Sequence, residues 1–444
     1  MEFHAIIVCG PGKQLAPFSQ ERLAGFPKPL LPVANKPMIH YALDFCTKAF
    51  FANITVVCPE EAMTLVQESI DNYRKLVERL EIDVQAYDCP ELGSVIHQLA
   101  PHIKSPHFVV LPCDFITDLP PQVLIEQYRN RGDSDFGLAV FHKQTLEVED
   151  KKHKQVKLYT MYSDDGHLLD VQTTKDIEFH KLLPVRSQMT WRHPQTTILT
   201  TLLNSLIFFG SAAVFKALEE PKFDDVYLQT HSLLKIVRDL ARRSWKHSQP
   251  KDTVGIFVIP QQATFIRCNT LPMWTEANRY FMKLKAAEVG KSGSVQPKDK
   301  LAANIGIDSF IGEETHIGLR SAVKRLAIGS GCNIGERVKL TGCLILDNVT
   351  IENDVQLENC IIGAHCLIKL KSKLTLCNVE LTHEVSQGTV AKNENLKLLL
   401  LEGIVNDDKD DSDDSVTDSE DESGLDWSEG EDEWANNDDG LFDY

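Results

Sequence analysis

Between residues 311 and 385, aliphatic side chains return every seventeen positions. Ile311, Ile328, Ile345, Ile362 and Val379 form one ladder, and Ile317, Ile334, Ile351, Ile368 and Val385 form a second. A third climbs through Val323, Leu340, Leu357 and Leu374. Each beat divides as six, six and five residues, which gives three short flat sides and then a corner. Small residues follow many ladder positions, as at Gly312, Gly318, Gly329, Gly335 and Gly363. The pattern predicts the hexapeptide repeats of a parallel β-helix, with aliphatic side chains stacked inward and coils about 4.8 Å apart. An amphipathic helix would repeat every 3.6 residues, and that period does not fit.

Upstream, apolar runs alternate with helical patterns. Strands are predicted at Ala5–Cys9, Ile54–Cys58, Asp83–Tyr87, Phe108–Leu111, Phe136–Phe141 and Leu206–Phe209. Helices are predicted at Met38–Ala49, Glu60–Glu78, Pro121–Arg131, Leu228–Arg242 and Thr275–Val289. That alternation implies an α/β domain whose mostly parallel sheet is covered on both faces. Ligand sites in such sheets lie beyond the carboxyl ends of the strands. Glu147 to Arg192 is polar and weakly periodic, so it reads as an extended insertion. The expected organisation is a first domain over 1–289, a linker over 290–303, coils over 304–395 and a tail over 396–444.

Charge is concentrated rather than spread. Of the net −18, residues 407–444 supply 18 acidic side chains against one lysine, leaving 45 basic and 46 acidic residues in the body. A segment so rich in Asp, Glu, Ser and Asn is expected to be disordered. The neutral body makes direct nucleic-acid binding an unfavoured reading. No apolar run approaches the roughly 18 residues that span a bilayer, and the apolar start reads as a buried strand rather than a leader, so the cytosol is the expected compartment. Eleven cysteines occur without a C-x-x-C pair, which disfavours zinc. Cys343, Cys360 and Cys377 share the seventeen-residue beat and should stack, as small hydrophobes in a reduced protein; a disulfide or metal ladder is the alternative. His316, His365 and His383 do not share a beat and read as surface residues rather than ligands.

The first strand is followed by Gly10-Pro11-Gly12 and then by Phe26-Pro27-Lys28-Pro29-Leu30-Leu31-Pro32-Val33-Ala34-Asn35-Lys36-Pro37-Met38-Ile39. A glycine pair alone marks no more than a tight turn. The full run resembles the signature of nucleotide-sugar pyrophosphorylases. That resemblance implies a Rossmann-like nucleotidyltransferase-type mixed sheet, a loop cradling a nucleoside triphosphate, a phosphate-reaching lysine at Lys28 and, after the transferase domain, a left-handed β-helix.

Set against that family, the chain lacks chemical parts. Lys13-Gln14 stands where the family has Thr-Arg, and Gln14 brings neither charge nor a bidentate fork. Asp114 matches the family's first magnesium carboxylate. The second is replaced by Arg267, in the run Arg267-Cys268-Asn269-Thr270-Leu271-Pro272-Met273-Trp274-Thr275-Glu276-Ala277-Asn278. A guanidinium does not ligate Mg²⁺. The family's Glu-Lys-Pro run is also missing near Leu169–Lys175. The expected arrangement is an ion pair between Arg267 and Asp114, with Gly10, Gly12, Gln14, Lys28, Asp114 and Arg267 the vestigial positions of a nucleotide site. No catalytic residue, metal or cofactor is expected.

A transferase shell without transferase chemistry, joined to a β-helix, resembles the gamma-subunit family of eukaryotic translation initiation factor 2B. Met1-Glu2-Phe3, the run Val8–Ile39 and the coils from Ile305 to Ser330 carry the likeness. The epsilon subunit shares both domains but appends a helical domain, where this chain has its acidic tail. The resemblance implies a non-catalytic subunit of a cytosolic guanine-nucleotide exchange factor, a decamer of alpha, beta, gamma, delta and epsilon subunits. Epsilon is the nearest neighbour and performs the exchange, and initiation factor 2 is the substrate. The enzymatic alternative is an active pyrophosphorylase forming a GDP-sugar. In the tail, Ser415, Thr417, Ser419, Ser423 and Ser428 each precede an acidic residue by three and are candidate sites for an acidophilic kinase. Trp427, Trp434 and Phe442 among the carboxylates suggest a dock for a basic segment.

Overall fold

The computed structural model describes residues 2–397 apart from 20–24, 52, 78–80, 88–91, 104, 133, 147–156, 222, 247–251 and 293–302. The acidic segment and all five phosphorylation candidates fall outside the described residues.

Seven strands form the central sheet, in the spatial order Thr253–Val258, Asp135–Lys143, Leu202–Ser211, His107–Pro112, Phe3–Val8, Asn53–Pro59, Glu81–Tyr87. Neighbours run parallel except at Leu202–Ser211, which is antiparallel to both of its partners. Alternation along a strand explains the layering. Phe3, Ala5 and Ile7 face one core with the helices Met38–Lys48, Met63–Leu76 and Pro121–Arg129. Ile6 and Val8 face the other, with Leu92–Leu99 and Leu233–Lys246. From Phe3–Val8 the chain builds outward on one side, then crosses to His107–Pro112 on the other. The carboxyl ends of those two strands flank a topological switch point, where such sheets bind ligands.

Several elements differ from expectation. Thr253–Val258 is an additional edge strand, and Leu92–Leu99 an additional helix. The helix expected over Leu228–Arg242 is two, Asp225–Thr230 and Leu233–Lys246, because the His231 ring stacks on Tyr227 at 4.0 Å while Ser232 opens a new helix by accepting from the Ile236 amide. The last helix spans Leu271–Ser292, starting at Thr270, whose carbonyl takes the Trp274 amide. Beyond residue 156 the supposed insertion is folded. Leu158–Ser163, Leu168–Thr173 and Thr196–Leu199 make an antiparallel sheet, and buried Thr160, Ser163, Asp170 and Gln172 hide its period.

Residues 304–396 form a left-handed β-helix with every ladder in register. Ile311, Ile328, Ile345, Ile362 and Val379 pair successively and continue to Leu396, and Ile317 through Val385 do likewise. The third ladder gains Ile305 below Val323, so the first coil is one residue longer. Positive φ recurs at Arg320, Arg337, Asp354, Lys371 and Gly388, each seventeen apart, which turns one corner of every coil. Close approach explains Gly329, where a Cβ would lie 2.8 Å from the Asp347 amide of the next coil. Cys343, Cys360 and Cys377 stack in the core and donate to the carbonyls of Thr341, Glu358 and Thr375; all described cysteines are free thiols.

One side of the β-helix is apolar outside as well as inside. Ala327, Leu344, Leu346, Ile361, Ala364 and Leu381 pack against the first half, on Trp274, Ala277, Met282, Leu31 and Val33. Burial on both sides of a strand requires apolar residues at both alternations, and this side has them. The seam also uses the signature run directly. The Asn35 amide donates to the Ile328 carbonyl at 2.6 Å, and Asn278 accepts from the Ala34 amide at 2.8 Å. No helix among the described residues is long and apolar enough to cross a membrane.

Candidate functional site

Two loops meet at the switch point. Gly10-Pro11-Gly12 follows the strand Phe3–Val8, and Asp114 follows His107–Pro112. Gly12 adopts φ 81°, and a Cβ there would press on Lys28 Cβ at 3.0 Å. The loop therefore folds onto the Lys28 side chain, and only a glycine fits that conformation and that contact.

Arg267 arrives on a short ribbon. Phe115–Thr117 pairs antiparallel with Phe265–Arg267, placing Arg267 opposite Phe115, and the Cys268 amide donates to the Asp114 carbonyl at 2.8 Å. The guanidinium then grips the Asp114 carboxylate with two bonds, Nε to Oδ1 at 3.0 Å and a terminal nitrogen to Oδ2 at 3.0 Å. Lys28 Nζ adds a third contact at 2.9 Å to Oδ2. The expected ion pair is present, and it is a triad rather than a pair.

Burial makes this triad strong. The Asp114 side chain is fully buried, and those of Lys28 and Arg267 are 11% and 13% exposed. Burial alone would raise the Asp114 carboxyl; Arg267 and then Lys28 outweigh it and hold the group well below the usual carboxylate range. For Lys28, burial opposes the charge, yet the Asp114 carboxylate raises its pKa overall. Nearby, burial and the Arg267 charge push His142 down to about 4, so it is neutral at pH 7.

Gly10, Lys28, Asp114 and Arg267 line a cavity of about 30 Å³ together with apolar residues that include Leu206 and Leu233. That is room for a water or two, whereas small-molecule sites run to about 300–1,000 Å³. Gly12 touches Lys28 without lining the cavity, and Gln14 sits half-buried on the 3₁₀ turn Lys13–Leu15, also outside the lining. Leu206 and Leu233 were not legible as site residues. Where the family's sugar-phosphate run is missing, Asp170 is instead buried and paired with Arg242 at 3.0 and 3.2 Å. Among the described residues no cluster of three His, Cys, Asp or Glu side chains is arranged to hold a metal.

Residues 4–150 match the family model described as nucleotidyl transferase, and residues 294–390 match the one described as the EIF2B subunit epsilon LbH domain. Translation initiation factor eIF2B subunit gamma of Schizosaccharomyces pombe is 25% identical over 421 residues, covering 89% of this chain and 90% of that one. The protein of the same description from Dictyostelium discoideum is 22% identical over 378 residues, covering 70% and 83%. A solved structure of a putative glucose-1-phosphate thymidylyltransferase from Bacillus anthracis superposes with a TM-score of 0.46 at 14% identity, over 63% of this chain and 94% of that one. The β-helix model bears the epsilon description, while the two relatives named above are gamma subunits.

Proposed function

We propose that this chain, a member of the gamma-subunit family of eukaryotic translation initiation factor 2B, is a non-catalytic subunit of that guanine-nucleotide exchange factor. In this reading it assembles with the alpha, beta, delta and epsilon subunits in the cytosol, lies closest to epsilon, and assists conversion of initiation factor 2 from its GDP to its GTP form. Gly10, Gly12, Gln14, Lys28, Asp114 and Arg267 are then the remains of a nucleotide site, kept as structure.

The carrying observation is the closed charge triad. Nucleotidyl transfer between two anionic reactants needs cations free to face the transferring phosphate. Here the Arg267 fork is committed to Asp114, the carboxylate available for Mg²⁺ is already satisfied, and Lys28 binds the same oxygen. This geometry and the gamma relatives favour the subunit reading over the pyrophosphorylase alternative. Exchange needs no bond-making residues. It needs surfaces that hold the nucleotide-free GTPase more tightly than its GDP-bound form.

The test is to isolate the tagged chain from its own cells and identify what accompanies it by mass spectrometry. Four other subunits and initiation factor 2 are the expected company. A homo-oligomer that releases pyrophosphate from a nucleoside triphosphate and a sugar phosphate in Mg²⁺ would overturn the reading.

A further inference from the structure

The three sides of the β-helix differ in what they show to solvent. One is covered by the first half of the chain. A second, through His316, Asn333, Thr350, Leu367 and Glu384, carries little net charge, and its Lys369 pairs with Glu384. The third is basic. Its strands Ala322–Lys324, Lys339–Thr341, Gln356–Glu358, Lys373–Thr375 and Val390–Lys392 point Val323, Leu340, Leu357, Leu374 and Ala391 inward. Outward go Lys324, Lys339, Lys373 and Lys392, against the single carboxylate of Glu358. All four lysines are exposed, and none pairs with a carboxylate among the described residues. Arg320, Arg325 and Lys371 extend the positive surface around the adjoining corners.

From these observations we propose that residues 407–444 of the same chain fold back along this basic side. Charge complementarity is the first argument: 18 carboxylates against one lysine meet a face with four unpaired lysines. Chain connectivity is the second. The last described strand, Asn395–Leu396, lies on the same coil as Lys392, and Asp407 follows Lys397 by ten residues. Ten residues reach at most about 35 Å when extended, and coils spaced about 4.8 Å apart put Lys324 and Lys392 roughly 19 Å from each other. The tail therefore begins within reach of the whole face and is held there at high effective concentration. Its ligand chemistry is that of an acidic peptide, so docking also shields the face from acidic partners in trans. Phosphate added at Ser415, Thr417 or Ser419 would tighten it.

Two measurements on the full chain decide the matter. Carbodiimide joins a lysine amine to a carboxylate only when the two touch. Treated at 50 mM salt as a mixture of light and heavy isotope-labelled copies, the chain should give cross-links from Lys324, Lys339, Lys373 or Lys392 to 407–444 within one copy. Their yield should fall at least about tenfold at 1 M salt, where the screening length is about 3 Å. Independently, a glutamate-specific protease should cut the tail about fivefold faster in the Lys324→Ser, Lys339→Ser, Lys373→Ser, Lys392→Ser variant than in the parent at 50 mM salt, and equally fast at 500 mM. Tail cross-links that map to other lysines, cross-links found only between light and heavy copies, or equal cleavage at both salts would each overturn the proposal.

Discussion

Two arginine–carboxylate forks in this chain have nearly the same geometry and opposite surroundings. In the first half, Arg267 grips Asp114 with bonds of 3.0 and 3.0 Å, and the side chains are 13% and 0% exposed. On a corner of the β-helix, Arg337 grips Asp354 at 2.7 and 2.9 Å, and the side chains are 50% and 36% exposed. Distances alone would rate the second pair stronger. Burial reverses the order, because water competes for the outer pair and is largely shut out from the inner one. The same contrast separates the two halves as wholes. The α/β half knots its stability around buried carboxylates, at Asp114 and again at Asp170 and Asp239, which share the half-buried Arg242. The β-helix core is aliphatic and thiol, repeated coil after coil.

The largest effect should come from removing the carboxylate. Asp114→Ala leaves Lys28 and Arg267 buried side by side without a counter-charge, at a cost of about 3–5 kcal/mol. In a domain of this size that lowers the thermal midpoint by roughly 10 °C. Replacing all three, with Asp114→Leu, Lys28→Met and Arg267→Met, should restore most of the loss, since no buried charge is left alone. A midpoint shift below about 2 °C for Asp114→Ala would break the comparison.

Next in size is a ladder residue of the β-helix. Ile345 is 1% exposed in a middle coil, so Ile345→Ala should cost about 2–5 kcal/mol. Inside the β-helix each coil stacks only on its neighbours, so hydrogen exchange should quicken most in the coils above and below and least in the central α/β sheet. Ile311 occupies the same ladder in the first coil and is 36% exposed. Ile311→Ala should therefore cost well under half as much. Equal losses at the two positions would show that the repeat is not additive.

A third prediction uses pH. His142 titrates near 4 when folded, because burial and then Arg267 disfavour its charge, against about 6.5 when unfolded. The unfolded chain binds more protons across that window, so stability is full above about 6.5 and is lost as pH falls toward 4, by at most about 3 kcal/mol. His142→Gln should flatten this part of the urea-midpoint profile. A slope that survives the substitution assigns the loss to other groups.

The legibility of the fold follows the same division. Coils are readable because each inward position recurs at a fixed spacing, and one misread residue is outvoted by its neighbours. Leu344, Leu346 and Ile361 also announce a covered face, although their outward direction emerges only once the register is known. In the α/β half, Arg267 was legible because the run ending Trp274-Thr275-Glu276-Ala277-Asn278 fixes where a carboxylate would stand. The role of Lys28 as third member was not, since sequence does not reveal that Gly12 folds onto it. Thr253–Val258 escaped because Gly255 in mid-strand reads as a break, while in the sheet it admits Leu138, whose Cδ1 would lie 3.1 Å from a Cβ there. Asp170 and Gln172 broke the alternation of their strand for a similar reason: a buried charge network replaced the apolar pattern.

The smallest effect is expected where the hydrogen bonds are shortest. Asp354 is lowered from its ordinary pKa mainly by the Arg337 hydrogen bond, and Arg337 is raised by the same contact. Both side chains nevertheless remain open to water, which replaces either partner when it is removed. Arg337→Ala should leave the thermal midpoint within measurement error of the parent, and the small difference should vanish as salt rises. Position 337 also has a positive φ of 56°, so the cleaner variant is Arg337→Asn, which tolerates that backbone better than alanine. Were Arg337→Asn to cost as much as Asp114→Ala, hydrogen-bond geometry rather than burial would govern both forks.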